Sequence, residues 1–389
     1  MIQEPALLLA YLAGVVAVVF QVSRIPRLQP LFDRLPALVW AYWLPMLSTT
    51  AGLIPSESPL YRALARYLLP GSLALMLLSS DVKSLARLGR TALLVMAFAI
   101  LGIMVGAVVA FSLLRPWLPA EAWKAVGALS ATWIGGSANL VAVATALGLS
   151  PDLQGVIIIV DTVVGYSWMA LLITFAGSQA RFDRWNRADR AVVDEVARRM
   201  AGVPGRQARP LTVPDATLMG GIAIVLTGLC LKIGGMLPPV GQVLTPYSWA
   251  IILLTTIALG LSLTPLARLE GAGASTLGYA GFYLLLASVG AQADLTRIVS
   301  HPAFVLLGVI IIAVHAAILL AAVRFLRAPL FFFGAASQAC TGGVSSAPIV
   351  AALYHPAMAP VGLLLAVLGN VLGTYLGLLI AQLLSGMAA

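Results

Sequence analysis

Twelve apolar segments separated by short polar loops run the length of this sequence. This pattern indicates that the chain is embedded in a lipid bilayer. The segments lie at 5–22, 36–54, 67–80, 91–114, 125–149, 153–177, 214–236, 246–266, 274–290, 303–323, 329–353 and 360–385. Only 10% of the 389 residues are charged, whereas a soluble domain carries about 25%. The sequence therefore predicts an all-α integral membrane protein with many membrane-spanning helices.

The positive charge lies between the apolar segments. The net charge of +9 follows the positive-inside rule and gives no indication of a nucleic-acid partner. Eight arginines fall within 178–212, which also contains prolines and glycines. We predict that this stretch is a cytoplasmic linker with one short surface helix between two halves, 1–177 and 213–389. The predicted location is the bacterial cytoplasmic (inner) membrane.

The two halves look like copies of one six-segment unit. Three landmarks recur at offsets of 207, 209 and 210: the glycine pair 135–136 at 342–343, Asp161 to Tyr166 at Asn370 to Tyr375, and 85–87 at 295–297. A nearly constant offset predicts an internal repeat, which is how many transporters are built.

Paired glycines interrupt the fifth and eleventh segments at mid-length. Each half-segment has about 12 residues, or about 18 Å of helix, which reaches the middle of a bilayer without crossing it. If both are re-entrant hairpins, each copy has about five crossings and the copies are inverted. The cytoplasmic loops then carry 17 of the 23 Lys and Arg residues, against 15 if all twelve segments cross. The count favours hairpins with both termini outside, and broken helices that do cross remain the alternative.

Small polar residues surround both glycine pairs. Residues 130–139 read Ser-Ala-Thr-Trp-Ile-Gly-Gly-Ser-Ala-Asn, and 337–346 read Ser-Gln-Ala-Cys-Thr-Gly-Gly-Val-Ser-Ser. A broken helix frees backbone groups, and the N-terminus of a half-helix attracts an anion. Close helix packing is the alternative explanation. The candidate substrate-binding residues are Thr132, Gly135, Gly136, Ser137, Asn139, Gln338, Thr341, Gly342, Gly343, Ser345, Ser346 and Asn370.

Asp161 is the one acidic residue deep within an apolar segment. A charge there costs about 2.5–3.5 kcal/mol or more unless it is compensated. We predict a bound Na⁺ at Asp161, or a proton, as the coupling ion, with no other cofactor; an Asp satisfied by neighbouring hydroxyls is the alternative. The candidate ion-binding residues are Ser130, Thr132, Asn139, Asp161, Thr162 and Asn370.

His315 is also deep within an apolar segment. It is interpreted either as a proton relay or as a neutral histidine hydrogen-bonded to another helix. The sequence contains no nucleotide-binding loop, serine-hydrolase elbow or zinc-protease motif, so no enzyme activity is predicted. Cys230 and Cys340 lie within apolar segments and predict neither a disulfide nor a metal site.

The repeated glycine-pair segments, each followed one helix later by Asp or Asn, resemble the bile acid, arsenite and riboflavin transporter superfamily. Within it, residues 132–143, Thr-Trp-Ile-Gly-Gly-Ser-Ala-Asn-Leu-Val-Ala-Val, followed by the Asp161 helix, resemble the membrane family named domain of unknown function 819. The glutamate–sodium and citrate–sodium symporters are more distantly similar. The resemblance implies a core domain that holds both interrupted segments and a scaffold domain that forms a homodimer. The Gly-Gly-His-Gly of the glutamate symporters is absent, so the resemblance does not supply glutamate as a substrate.

These observations predict a secondary active transporter that carries a small organic anion, a carboxylate or an amino-acid-like solute, together with Na⁺. The substrate site is expected near the membrane midplane between the two breaks, with alternating access by motion of the core against the scaffold. Two alternatives remain: a cation/proton antiporter that uses Asp161 alone, and a membrane receptor that transports nothing.

Overall fold

The computed structural model describes residues 2–35, 37–189, 193, 195–196, 208–293, 301–355 and 358–388. The helices of the first half are α1 Pro5–Ser23, α2 Gln29–Arg34, α3 Ala37–Thr50, α4 Pro59–Ala63, α5 Leu69–Leu78, α6 Gly89–Leu114, α7 Ala122–Gly135, α8 Ser137–Ala146, α9 Pro151–Ala176 and α10 Gln179–Asn186. Those of the second half are α11 Val213–Gly234, α12 Pro246–Ser262, α13 Ala274–Gly290, α14 Ala303–Phe325, α15 Leu330–Thr341, α16 Gly343–Tyr354 and α17 Ala359–Ala388. The predicted all-α membrane fold is confirmed.

Several of these helices are long and apolar enough to cross a membrane. They are Pro5–Ser23, Gly89–Trp117, Pro151–Ala176, Val213–Gly234, Ala303–Phe325 and Ala359–Ala388. Their outward faces carry large apolar side chains, and Ile224 on α11 is 74% exposed. A surface of this kind is unfavourable in water and is typical of helices that face lipid.

The helix boundaries follow local signals that the apolar pattern alone does not carry. The third apolar segment begins at Pro59 because α4 passes through a π-helical turn, Leu64–Leu68, directly into α5. Arg62 and Arg66 hide this extension from a hydropathy profile. The eighth segment ends its helix at Ser262, and a 3₁₀ helix at Pro265–Ala272 turns away by 92°.

The helices pack into two groups. The core bundle consists of α6 to α9 and α14 to α17, and the scaffold bundle consists of α1, α3, α4, α5, α11, α12 and α13. Contacts within each bundle are extensive, and contacts between them are confined to a few helix pairs such as α8 with α12 and α3 with α9. This division gives each bundle its own packed interior.

Helix pairing is preserved when each segment is exchanged for its counterpart in the other half. Helix α3 packs on α13, and their counterparts in the other half, α12 and α5, also pack together. In the same way α7 packs on α17, and their counterparts α15 and α9 pack together. The helices α6 and α14, which are counterparts of each other, pack together. Inversion of the two halves in the membrane stays a prediction, as do the boundaries 1–177, 178–212 and 213–389. The landmark 295–297 lies outside the described residues.

Glycines bring the core helices close together. Gly369, Gly373 and Gly377 form one stripe along α17, and a Cβ at Gly377 would lie 2.5 Å from the Ala131 Cβ on α7. On α6, a Cβ at Gly106 would lie 2.7 Å from the Ile311 carbonyl oxygen of α14. Small residues at this spacing are the usual means of close helix approach in membranes.

Loop contacts divide the molecule into two faces. On the terminal face, the Ile2 N–H donates to the Leu53 carbonyl (2.9 Å) and the Thr49 hydroxyl to the Ala291 carbonyl (2.7 Å). There too, the Arg115 guanidinium donates to the Ala388 carbonyl (2.9 Å).

On the linker face, α10 docks beneath α15. The Asp183 carboxylate accepts from the Leu330 N–H (2.8 Å), and the Asn186 amide donates to the Ala328 carbonyl (2.8 Å). The Arg209 N–H donates to the Gly271 carbonyl (2.9 Å) on the same face. Each of these contacts joins loops that the hairpin topology places on one side. Within the predicted linker, Arg190, Arg198, Arg199 and Arg206 lie outside the described residues.

Candidate functional site

The first glycine-pair segment folds back on itself. A straight helix would separate residues 124 and 148 by about 36 Å. Instead, the Lys124 ammonium at the start of α7 lies 3.5 Å from the Gly148 carbonyl oxygen just beyond α8. Helices α7 and α8 are therefore antiparallel arms of a hairpin whose ends lie together on the terminal face.

The second segment does the same from the opposite side. A Cβ at Gly334, near the start of α15, would lie 2.5 Å from ring atoms of Tyr354, the last residue of α16. The ends of this hairpin lie on the linker face, beside Asp183. The re-entrant arrangement predicted for both segments is therefore present, and the broken but crossing alternative is excluded for the described residues.

Backbone geometry at the tips requires glycine. Gly136 has φ +91° and ψ 170°, and Gly343 has φ +61°, conformations that side chains with a Cβ rarely adopt. The tips face one another, since a Cβ at Gly343 would lie 3.7 Å from the Gly136 Cα. Helices α8 and α16 both begin at this meeting point, and the first turn of each leaves N–H groups without helical partners.

A cavity of about 620 Å³ lies between the hairpin tips and the scaffold bundle. Its core side is formed mainly by Gly135, Gly136, Ser137, Ala138, Ser345 and Asn370. Its scaffold side is formed mainly by Phe20, Leu38, Thr276, Tyr279, Phe282 and Tyr283. These scaffold residues come from the end of α1 and the beginnings of α3 and α13, so the cavity lies on the linker-face side of the tips.

An amide network fixes the tip of the first hairpin. The Asn139 Nδ2 donates to the Gly135 carbonyl (2.8 Å) and to the Asn370 Oδ1 (2.8 Å). The Thr374 hydroxyl donates to the Asn139 Oδ1 (2.5 Å). These bonds use both Nδ2 hydrogens of Asn139. Gly135 and Asn370 are the members of the network that line the cavity.

Asp161 lies in a separate cluster. The Trp133 indole Nε1 donates to the Asp161 Oδ1 at 2.8 Å, and Thr132 lies beside the same carboxylate. A Cβ placed on Gly165 would be 3.9 Å from the Asp161 Oδ1 and also 3.9 Å from the Thr341 carbonyl oxygen. An indole donor and a hydroxyl thus contact one partly buried carboxyl group, and a main-chain carbonyl lies near the same Gly165.

Other predicted ion ligands point elsewhere. The Ser130 hydroxyl donates to the Val126 carbonyl (2.8 Å), and the Thr162 hydroxyl donates to the Ile158 carbonyl (2.8 Å), each within its own helix. The Asn139 side chain donates its hydrogen bonds to Gly135 and Asn370 and is not hydrogen-bonded to Asp161. Only Thr132 among the predicted ion ligands lies beside Asp161.

In the second hairpin, the remaining predicted residues mostly bind one another. The Gln338 Nε2 donates to the Ser346 hydroxyl (2.7 Å), and the Thr341 hydroxyl donates to the Ser337 carbonyl (3.1 Å). A Cβ at Gly342 would overlap the side chains of Gln338 and Ser346. Gly342 and Gly343 form the tip of this hairpin. The predicted residues of this hairpin that do not line the cavity are Gln338, Thr341, Gly342, Gly343 and Ser346.

His315 belongs to the packing of the core bundle. Its Nδ1 lies 2.9 Å from the Ala99 carbonyl oxygen, which only accepts, so Nδ1 carries the hydrogen. Its Nε2 lies 2.9 Å from the Ser337 hydroxyl, to which the Trp168 indole also donates (2.8 Å). Every polar atom of the ring is satisfied in the neutral form, as in the second of the two interpretations.

Some residues of the site do not stand out in the sequence. The scaffold aromatics Phe20, Tyr279 and Tyr283 look like ordinary membrane-helix residues until the fold brings them opposite the hairpin tips. Thr374 is equally inconspicuous. Trp133 lies inside the first motif, and its indole N–H was the signal that could have paired it with Asp161.

Together, the fold and the site define a multi-pass α-helical membrane protein with two glycine-broken hairpins that meet inside a helix bundle. A family model described as protein of unknown function (DUF819) matches residues 8–387, and the chain belongs to this family. The chain is 27% identical over 350 residues to the uncharacterized membrane protein YjcL of Bacillus subtilis (strain 168), an alignment that covers 85% of this chain and 86% of YjcL. The family predicted from residues 132–143 and the Asp161 helix is confirmed.

Proposed function

We propose that the protein is an ion-coupled secondary transporter that carries a small organic anion. The observation that carries this proposal is the cavity at the hairpin tips, where two helices begin and two bundles meet. The exposed N–H groups of α8 and α16, with the partial positive charge of each helix N-terminus, favour an anionic group. Ser137, Ser345 and Asn370 add hydrogen-bonding groups beside them.

The coupling ion is assigned to Asp161. Its carboxylate and the carbonyl of Thr341, the last residue of α15, both lie 3.9 Å from a Cβ built on Gly165. A Na⁺ there would bring together the carboxylate, the main-chain oxygen and the Thr132 hydroxyl, which are the oxygen ligands that a hard cation prefers. Because Thr341 ends one arm of the second hairpin, an ion at this point would hold the tip in its binding geometry.

The division into bundles supports alternating access. The core bundle contains both hairpins, and it meets the scaffold bundle through few helix pairs. A rigid displacement of the core against the scaffold would therefore move the site from one face to the other without unpacking either interior. The resemblance adds two further proposals, the bacterial cytoplasmic membrane as location and a homodimer formed through the scaffold bundle.

Counterflow into proteoliposomes tests the proposal. Vesicles containing the purified protein are loaded with a panel of organic anions, and exchange of labelled anions is measured with and without Na⁺ and with an imposed pH gradient. We expect anion exchange that Na⁺ stimulates. Cation–proton exchange with no effect of any anion would instead establish the antiporter, and the absence of all flux would favour a receptor.

Asn370→Ala provides the site variant for this assay, and Gln382→Ala on the same helix is the matched control. Asn370 lines the cavity, whereas Gln382 lies beside Gly241 on the terminal face. We expect the first variant to lose most anion exchange and the second to keep it. Equal rates in both variants would separate the cavity from transport.

A further inference from the structure

The wall opposite the hairpin tips is built of aromatic rings. Tyr283 lies between Phe20, with ring centroids 4.7 Å apart, and Phe282, at 5.7 Å, both edge to face. Phe282 is 1% exposed, so this side of the Tyr283 ring is backed by the packed interior of the scaffold bundle. Tyr279 lies one helical turn earlier on α13 and lines the same cavity.

Charge is missing from this wall. None of the described residues that line the cavity is Asp, Glu, Lys, Arg or His. One anionic group can be met by the helix N-termini on the core side. A second carboxylate on the same molecule would face aromatic rings and lose its hydration without a partner.

From this two-sided cavity we propose that the transported anion is a monocarboxylate with an aryl or branched apolar body, with the carboxylate at the hairpin tips and the body against Tyr279 and Tyr283. The proposal rests on the proposed transport of organic anions and narrows it to one class. A volume of about 620 Å³ is ample for a single ring with a short side chain. It lies within the range of about 300–1,000 Å³ that small-molecule sites occupy.

Motion of the core would carry the two halves of this cavity apart. The carboxylate would remain with the tips, and the apolar body would leave the aromatic wall of the scaffold. The wall therefore sets which body is accepted from the linker-face side, and Tyr279 and Tyr283 are specificity-determining residues.

Binding measurements on the purified full-length protein test this assignment. The probes are phenylacetate, 3-phenylpropionate and 4-methylpentanoate, compared with acetate, succinate and citrate, by calorimetry and by shift of the melting temperature in the presence of Na⁺. Tyr279→Ala and Tyr283→Ala remove wall rings. Tyr67→Ala, which changes an exposed scaffold tyrosine outside the cavity, is the matched control.

We expect the three apolar monocarboxylates to bind more tightly than the other anions. Loss of one ring should weaken phenylacetate binding by about 3- to 10-fold, the worth of one aromatic contact, and leave the weak binding of acetate unchanged. The melting temperature without ligand shows whether each variant is folded. If Tyr283→Ala is not, Tyr279→Ala decides the question.

Two results would overturn the assignment, and they differ from each other. Tighter binding of succinate, citrate or acetate, with equal effects of the tyrosine variants on all anions, would refute the apolar class while anion transport stands. Binding and counterflow of no anion at all would refute the proposed function and this assignment with it.

Discussion

The Tyr375 hydroxyl on the core helix α17 lies 2.9 Å from the Thr256 hydroxyl on the scaffold helix α12. Its counterpart in the first half, Tyr166 on α9, makes no hydrogen bond to another described residue, and the Tyr166 ring lies near Tyr283 at the cavity wall. Tyr375 is displaced from the tips towards the terminal face, and Tyr166 towards the linker face. The core and scaffold bundles are thus joined on one side of the site and separated by a cavity on the other.

This asymmetry predicts that Tyr375 stabilises the state that is open to the linker face. Tyr375→Phe removes the bonds to Thr256 and to Thr255, the latter 3.1 Å long. Each hydrogen bond contributes about 0.5–1.5 kcal/mol, so the loss of both should raise the ratio of molecules open to the terminal face over molecules open to the linker face by about 5- to 150-fold. A second pocket opens on the terminal face between α8 and the scaffold bundle, and Thr145, Arg66 and Gly235 are among the residues that line it. The readout is the rate at which a cysteine at position 145 reacts with an impermeant reagent.

Tyr61→Phe is the control for this change. The Tyr61 hydroxyl also makes a bond, 2.8 Å to the Pro55 carbonyl, but both partners belong to the scaffold bundle and neither lines the pocket beside position 145. Its removal should leave the labelling rate at position 145 unchanged. If both variants raise the rate equally, the bond to α12 is not a latch between the two bundles.

The outline of this fold was predictable because it depends on local pattern. The lengths of the apolar segments predicted the helices. The glycine pairs predicted the breaks, because few residues other than glycine adopt the positive φ found at Gly136 and Gly343. The pairing of side chains across the site was not predictable. Asn139 was expected beside Asp161, yet it bonds to Asn370 (2.8 Å). Which hairpin tip meets which helix depends on packing between residues more than 200 positions apart, and no local signal encodes that choice.

Gly136 should be intolerant of any side chain. No other atom lies within 4 Å of a Cβ built at this position, so the cost of Gly136→Ala is backbone strain at φ +91°, about 1–3 kcal/mol. Gly136→Leu also puts a side chain into the cavity and should abolish transport while the protein still inserts. Gly343→Leu should behave alike, because φ is +61° there.

Gly220→Ala is the matched control, since it lies within α11 with equally open space around it. We expect this change to be neutral or stabilising by up to about 1 kcal/mol. Melting temperature and anion counterflow check all these variants. Normal counterflow by Gly136→Leu would show that the break serves packing alone.

The topology prediction concerns the two faces. The 17-to-6 distribution of Lys and Arg predicts that the linker face is cytoplasmic and the terminal face is outside. Arg187→Cys lies on the linker face and Met236→Cys on the terminal face, and Met236 is 74% exposed. In right-side-out cells an impermeant maleimide should label position 236 and not position 187, with little background because Cys230 and Cys340 are buried. Labelling of position 187 and not of position 236 would show that the protein has the opposite orientation in the membrane.

Asp161 provides the sharpest test of ion coupling. Asp161→Asn keeps an oxygen that can accept from the Trp133 indole, now 2.8 Å away, and makes the position match its counterpart Asn370. Folding should therefore survive, while loss of the negative charge removes the main attraction for a cation. We expect the variant to reach the membrane and to lose most ion-stimulated transport. We also expect Na⁺ to stabilise the parent in a thermal melt and not to stabilise the variant. Trp133→Phe, which removes the indole donor and keeps the carboxylate, should retain Na⁺ stabilisation with altered affinity.

If protons are the coupling ions, Na⁺ will stabilise neither the parent nor Asp161→Asn, and transport will follow the pH gradient. Transport by Asp161→Asn at the parent rate, with the parent's ion dependence, would make this carboxyl group a packing element and would remove the ion site from the mechanism.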